Sequence, residues 1–198
     1  LMGACQRGEY RCVALLLEAG AAVDKRGPHD VTALIIACKN GHEQCALALL
    51  EAGAAVDAVE NKQWTALMFA AQGGHEQCAL ELLKAGAAVD ATEEDGWTAL
   101  MFAAQNNHEQ CLQCLKALLK AGVAVDAQLP SGHTALMISC QNGHEKCALA
   151  LIEAWANLES KTARGSTALI IACKNGHEQC ASALLKAGAA VDATEEDV

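Results

Sequence analysis

Between Tyr10 and Ala19 the chain places Cys12, Val13, Leu15, Leu16 and Leu17 at helical spacing, and Gly20 follows. Apolar residues recurring at i, i+3 and i+4 predict an amphipathic helix with one inward face. The fullest copy of this plan runs from Trp64 to Gly96. There Thr65 is placed to cap a first short helix, Ala66 to Gln72, which stops at Gly73 and Gly74. A second helix, His75 to Ala85, carries Cys78, Leu80, Leu82 and Leu83 on its apolar side, and Gly86 ends it. Glycine suits both stops because it takes the left-handed conformation that closes helices, and Asn107 fills the equivalent place one unit later. Ala87 to Trp97 then returns as an extended turn containing Glu93, Glu94, Asp95 and Gly96. Turn chemistry is clear at Asp95-Gly96, Ser131-Gly132 and Arg164-Gly165, and weaker at Asp30 and Gln63.

At Trp97 the same text begins again. Thr32, Thr65 and Thr98 stand 33 residues apart, as do Thr134 and Thr167. A period in this range predicts a stack in which each unit buries its apolar face only against its neighbours. The expected organisation is one domain over 1–198, with units at about 1–29, 30–62, 63–95, 96–131, 132–164 and 165–198. Function is then to be sought on a surface shared by several units.

Two places break the rhythm. Thr98 to Thr134 spans 36 residues, and the alignment puts the three extra residues in the second helix of that unit. Three residues turn a helix through about 300°, so a longer helix or a bulge must absorb them. The other break is Trp155, at the position where Gly53, Gly86, Gly122 and Gly188 close their helices. It must accept a positive φ or force another route.

Composition narrows the picture. Apolar residues make up 53 % of the chain and aromatics 3 %, so the core is built from Ala, Leu, Ile, Val and Cys between closely approaching helices. The net charge is −10 with no Lys/Arg cluster, which excludes nucleic acid as the expected partner. No apolar run reaches the roughly 18 residues of a membrane span, and no signal-peptide pattern opens the chain. Most of the 11 cysteines recur with the repeat, Cys5, Cys38, Cys140 and Cys173 in one register and Cys12, Cys45, Cys78, Cys111, Cys147 and Cys180 in another. They read as buried free thiols, which points to a reducing intracellular setting, the cytoplasm.

The text T-A-L-M-x-A-A-x-x-G-H-E-x-C-A-L-x-L-L-x-A-G-A-A-V-D resembles the ankyrin repeat over essentially the whole chain, with the first unit incomplete. The resemblance implies an all-α solenoid of stacked helix-turn-helix units with projecting β-hairpin-like loops and a concave face that binds other proteins. Ala33, Ala66, Ala99, Ala135 and Ala168 stand where the family prefers Pro. Ile35, Met68, Met101, Met137 and Ile170 replace its usual His, and are expected as an apolar ladder near the inner face.

On this plan Val31, Trp64, Trp97, His133 and Ser166 project from the loops, while Gln72, Gln105, Gln141, Lys39 and Lys174 line the concavity from the first helices. The expected partner strip holds Trp64, Met68, Gln72, Glu93, Glu94, Asp95, Trp97, Met101, Gln105, His133, Met137 and Gln141. Aromatic and flexible apolar side chains of this kind dominate interface energetics. The bland alternative is that each Trp only packs across neighbouring loops. The acidic loops favour a protein partner with a basic or apolar surface, against the simpler view that Asp and Glu keep the rod soluble. Direct membrane insertion is not expected.

Other readings weigh less. The His-x-x-Cys pairs, such as His42 with Cys45, and Cys111-Leu-Gln-Cys114 could in principle serve a soft metal or a redox pair. Repetition at equivalent packing positions favours burial instead. No catalytic relay or phosphate-cradling loop is present, so no enzyme activity and no cofactor are expected. The alternative to a dedicated binding module is a scaffold segment of a longer array, with end-to-end self-association through uncapped termini.

Overall fold

A computed structural model describes residues 1–106 and 109–193. Among them twelve α-helices occur in pairs: α1 (Met2–Arg7) with α2 (Tyr10–Glu18), α3 (Ala33–Lys39) with α4 (Glu43–Glu51), and α5 (Ala66–Gly73) with α6 (Glu76–Lys84). These are followed by α7 (Ala99–Gln105) with α8 (Glu109–Lys120), α9 (Ala135–Gln141) with α10 (Glu145–Glu153), and α11 (Ala168–Lys174) with α12 (Glu178–Lys186). Odd-numbered helices pack on odd and even on even along the stack, so the molecule is a two-layer helical solenoid.

Each odd helix after α1 starts as its threonine dictates. The hydroxyls of Thr32, Thr65, Thr98, Thr134 and Thr167 accept the backbone N–H three residues on, at 3.2–3.4 Å. Such a cap satisfies one of the orphan donors of a helix start. Gly41, Gly74, Gly143 and Gly176 stand at φ near +70° between the paired helices. Asn107, the expected stop of α7, lies outside the described residues.

The core is continuous and aliphatic. Leu34, Leu67, Leu100 and Leu136 of the inner helices and Leu49, Leu82, Leu118 and Leu151 of the outer ones are at most 2 % exposed. Small residues between them, such as Ala37, Ala70, Ala71 and Ala104, allow the close approach that the aromatic-poor composition implied. The three-residue insertion is taken up by length, since α8 has 12 residues where its counterparts have nine.

Neighbouring units are tied by repeated polar contacts. Side-chain oxygens of Asp24, Asp57, Asp90, Asp126 and Glu159 each accept a backbone N–H about 31–34 residues on, at 2.8–3.0 Å. The imidazoles of His42, His75 and His177 reach carbonyls of the preceding inner helix, at Gln6, Lys39 and Gln141. His144 is buried and bonds the Ala104 carbonyl at 3.0 Å.

The turns between units form hairpin-like fingers, with isolated antiparallel bridges Val59 to Thr65 and Thr92 to Thr98. Successive fingers also join, through Asn61 N–H to His29 O, Glu94 N–H to Lys62 O and Ala163 N–H to Ser131 O. Gln63 takes φ 62°, and His29 and Asp30 lie near 60°, at the two turns whose sequence signal was weak. Trp155 resolves the dilemma posed by its sequence by accepting φ 63°.

The equivalence of the cysteines has limits. Cys12 and Cys173 are exposed while the other nine are buried. Cys173 occupies a copy of the text around Cys38, which is fully buried. The difference is that α5 packs over α3, whereas no described helix packs over the far side of α11.

Candidate partner-binding face

The side of the molecule that carries the fingers and the ends of the odd-numbered helices holds an aromatic cluster. Trp64 and Trp97 stand at the base of successive fingers, one residue before a capping threonine, and both are half-buried. Phe69 and Phe102 come four residues after those threonines, on α5 and α7. The ring of Trp64 lies 4.8 Å from Phe69 and 4.2 Å from Phe102, and Trp97 stacks on Phe102 at 5.2 Å. The ammonium of Lys39 sits 5.0 Å from the centre of the Phe69 ring. Offset and tilted rings at these separations attract one another beyond simple burial. The tryptophans therefore do both things contemplated for them: they pack across fingers and keep an accessible edge.

The methionines are elsewhere. Met68, Met101 and Met137 are each 1 % exposed, as is Ile35, so four rungs of the expected apolar ladder lie inside the stack, while Ile170 on α11 is half-buried. The first turns of α3, α5, α7 and α9 are covered by the next unit, and the Met68 sulfur accepts the Thr65 N–H at 3.5 Å. These three residues offer a partner no surface. Glu93 is corrected in the same way: it is 7 % exposed and its Oε1 accepts N–H groups from Asp95 at 2.9 Å and Trp97 at 3.0 Å. Its carboxylate closes its own finger, as Glu60 does one unit earlier with Lys62 and Trp64.

The remaining expected residues stand on the surface around the aromatic cluster. Glu94 and Asp95 are exposed at the fingertip, and Gln72, Gln105 and Gln141 are exposed toward the ends of α5, α7 and α9. His133 is half-buried, with Nδ1 2.9 Å from the Ser131 hydroxyl. Together with Gln141 it lines a groove of about 520 Å³ between the fingers and α11. A second groove, of about 410 Å³, lies at the other end beside Lys39, Glu60 and Phe69.

Phe69 and Phe102 escaped the sequence reading. Their register holds Ile36, Phe69, Phe102, Ile138 and Ile171, a bulky residue of changing identity beside an otherwise repeated text. That variation was the available signal.

Nine of the cysteines are buried between the helices. Cys111 and Cys114 on α8 direct their sulfurs to the carbonyls of Gln72 and Ala70, each at 3.8 Å. Burial pushes the Cys114 thiol up to about 12 and the Cys5 thiol up to about 11, the opposite of what a reactive thiolate requires. The Cys38 thiol is raised by its hydrogen bond with Cys78 and by burial. Among the described residues no three His, Cys, Asp or Glu side chains converge as a metal set.

Repeated helix pairs, linking fingers and Gly-His steps engaged on the preceding unit recur through the stack, and a family profile described as ankyrin repeats (3 copies) matches residues 1–93, 57–128, 80–162 and 110–195. The chain belongs to the ankyrin-repeat family. Its fold is similar to the crystal structure of the human ASB11 ankyrin-repeat domain, at 26 % identity and a TM-score of 0.88, over 98 % of this chain and 86 % of that one. No curated protein matches the chain. Ankyrin repeats are generally protein-interaction modules and typically non-catalytic. No helix among the described residues is long and apolar enough to cross a membrane.

Proposed function

We propose that residues 1–198 form one non-catalytic ankyrin-repeat domain whose protein partner docks on the concave face, along a strip centred on Trp64, Phe69 and Trp97, with the buried Phe102 supporting both tryptophan rings from beneath. Gln72, Gln105 and Gln141 from the helices, His133, and Glu94 and Asp95 from a fingertip form its polar rim. The observation that carries this reading is the aromatic stack spanning two successive units while both tryptophans remain half-accessible. Rigid aromatics with little rotamer entropy to lose are the usual anchors of protein interfaces. The acidic fingertip favours a basic or apolar patch on the partner at this point.

The test is the double variant Trp64→Ala and Trp97→Ala. With a partner captured by the wild-type domain and purified, the variant should bind at least about tenfold more weakly, about 1.4 kcal/mol, while keeping its far-UV circular dichroism. Unchanged affinity would remove the strip from consideration.

A second reading, a scaffold segment or end-to-end self-association, is favoured by apolar surface at both ends of the described stack. Leu15 is 65 % and Val191 71 % exposed. Light scattering across a dilution series should then show concentration-dependent mass, and a constant monomer mass would dismiss self-association.

A further inference from the structure

The chain contains three Asn-Gly steps, Asn40-Gly41, Asn142-Gly143 and Asn175-Gly176. Each closes an inner helix, α3, α9 or α11, with the asparagine as C-cap at φ −98°, −95° and −90° and ψ near 0°. The glycines follow at φ 70°, 72° and 71°. In all three the asparagine Nδ2 donates at 2.8 Å to a carbonyl four residues back, that of Ile36, Ile138 or Ile171. Each glycine N–H is held by a cysteine carbonyl, Cys38, Cys140 or Cys173, at 3.3, 3.4 and 3.1 Å. The text from Thr32 to Ala46 recurs without change from Thr167 to Ala181. Sequence and local conformation therefore do not separate Asn40 from Asn175.

The unit that follows does separate them. His75 clamps Asn40-Gly41, because its Nε2 lies 3.2 Å from the Lys39 carbonyl and its ring occupies the space a Cβ on Gly41 would need. His177 clamps Asn142-Gly143 in the same way, with Nε2 3.0 Å from the Gln141 carbonyl. Gly41 and Gly143 are half-buried beneath these rings. Gly176 is exposed, and among the described residues no atom beyond its chain neighbours comes within 4 Å of where its Cβ would stand.

We propose that Asn175-Gly176 is a site of spontaneous deamidation in the folded chain, a modification that Asn40 and Asn142 are spared. The Gly176 nitrogen bonds to Asn175 Cγ, the Cγ–Nδ2 bond breaks, and the proton lost by the glycine nitrogen leaves with Nδ2 as ammonia. Water then opens the cyclic imide at either carbonyl and gives aspartate or isoaspartate, with nothing oxidised or reduced. Glycine favours the closure because it sets no Cβ against the forming ring. The Gly176 N–H must first leave the Cys173 carbonyl, and the Asn175 amide must leave Ile171. Such local openings are easiest where few contacts cover the backbone. At Asn40 and Asn142 the opening must also displace an imidazole. The product changes the binding side, since Asn175 lines the groove of about 520 Å³. Conversion puts a carboxylate there, removes the donor to Ile171, and sets a negative charge at a helix C-terminus, where the backbone dipole disfavours it.

The test follows the whole chain, kept folded at mildly alkaline pH, by tryptic digestion and mass spectrometry over time; the peptides carrying the three asparagines differ in sequence. Asn175 should convert at least about tenfold faster than Asn40 or Asn142, and all three should convert at similar rates in denaturant. His75→Ala should release Asn40, raising its rate toward that of Asn175 while Asn142 stays unchanged, with circular dichroism confirming the fold. Equal native rates at Asn40 and Asn175 would overturn the proposal. A lead for Asn175 that persists in denaturant would trace to local sequence and overturn it as well. So would a His75→Ala protein in which Asn40 gains no more than Asn142, since the imidazole would then not be the guard. The measurement needs no partner, so its outcome is independent of the interaction-face reading.

Discussion

Replacing Trp155 by Gly should stabilise this protein although it removes its most conspicuous aromatic side chain. Trp155 sits at φ 63°, where Gly53, Gly86, Gly122 and Gly188 stand in the other units, and its side chain is 91 % exposed. A left-handed backbone costs a residue with a Cβ about 1–2 kcal/mol. Glycine's greater freedom in the unfolded chain offsets about 0.5–1 kcal/mol of the relief. So little of the ring is buried that its loss subtracts little, and the net gain is about 0.5–1 kcal/mol. For a chain of this size that corresponds to roughly 1–4 °C in Tm. Gly86→Ala provides the reverse experiment: no atom lies within 4 Å of the added Cβ, so backbone strain alone should lower stability, by about 1 kcal/mol. Trp155→Ala, which keeps a Cβ at positive φ, should remain near wild type. The assay is thermal and urea unfolding followed by far-UV circular dichroism, because removing a tryptophan alters the fluorescence baseline. A Trp155→Gly protein no more stable than Trp155→Ala would show that the helix stop does not store strain, and the reasoning would fail.

Further expectations follow from the cysteines and the carboxylate ladder. A thiol reagent applied to the native, reduced protein should modify Cys12 and Cys173 rapidly, and all 11 cysteines only in denaturant; fast native reaction at Cys111 or Cys114 would contradict their burial. Alkaline pH should destabilise the fold. Between the ordinary thiol value of 9.0 and about 11–12 the unfolded chain releases protons that folded Cys5 and Cys114 retain. Each such thiol then lowers stability by up to about 1.4 kcal/mol per pH unit. Urea midpoints measured from neutral to alkaline pH should fall less steeply in Cys114→Ala, and equal slopes would count against the shift. Asp90→Ala removes the acceptor of the Ala124 N–H at 2.8 Å and should reduce stability by about 1 kcal/mol. Asp90→Asn, which keeps an oxygen there, should lose less by the same unfolding assay.

Local rules in the sequence determined the elements, because the units repeat the same signals with few exceptions. A threonine before an apolar run, Gly-His between two helices and Ala-Gly after the second placed most caps and stops without knowledge of neighbours. The 33-residue period likewise implied stacking, since no single unit can bury its own apolar face. Tertiary structure alone decided which side chains remain for a partner. Met68, Met101 and Met137 look like surface anchors in a repeat read by itself, and the following unit covers them. Glu93 looks like part of an acidic loop, and its own finger consumes its carboxylate. Phe69 and Phe102 gained meaning only when two fingers brought Trp64 and Trp97 against them. Capping and periodicity act within a few turns of chain, whereas exposure depends on what the adjacent unit covers.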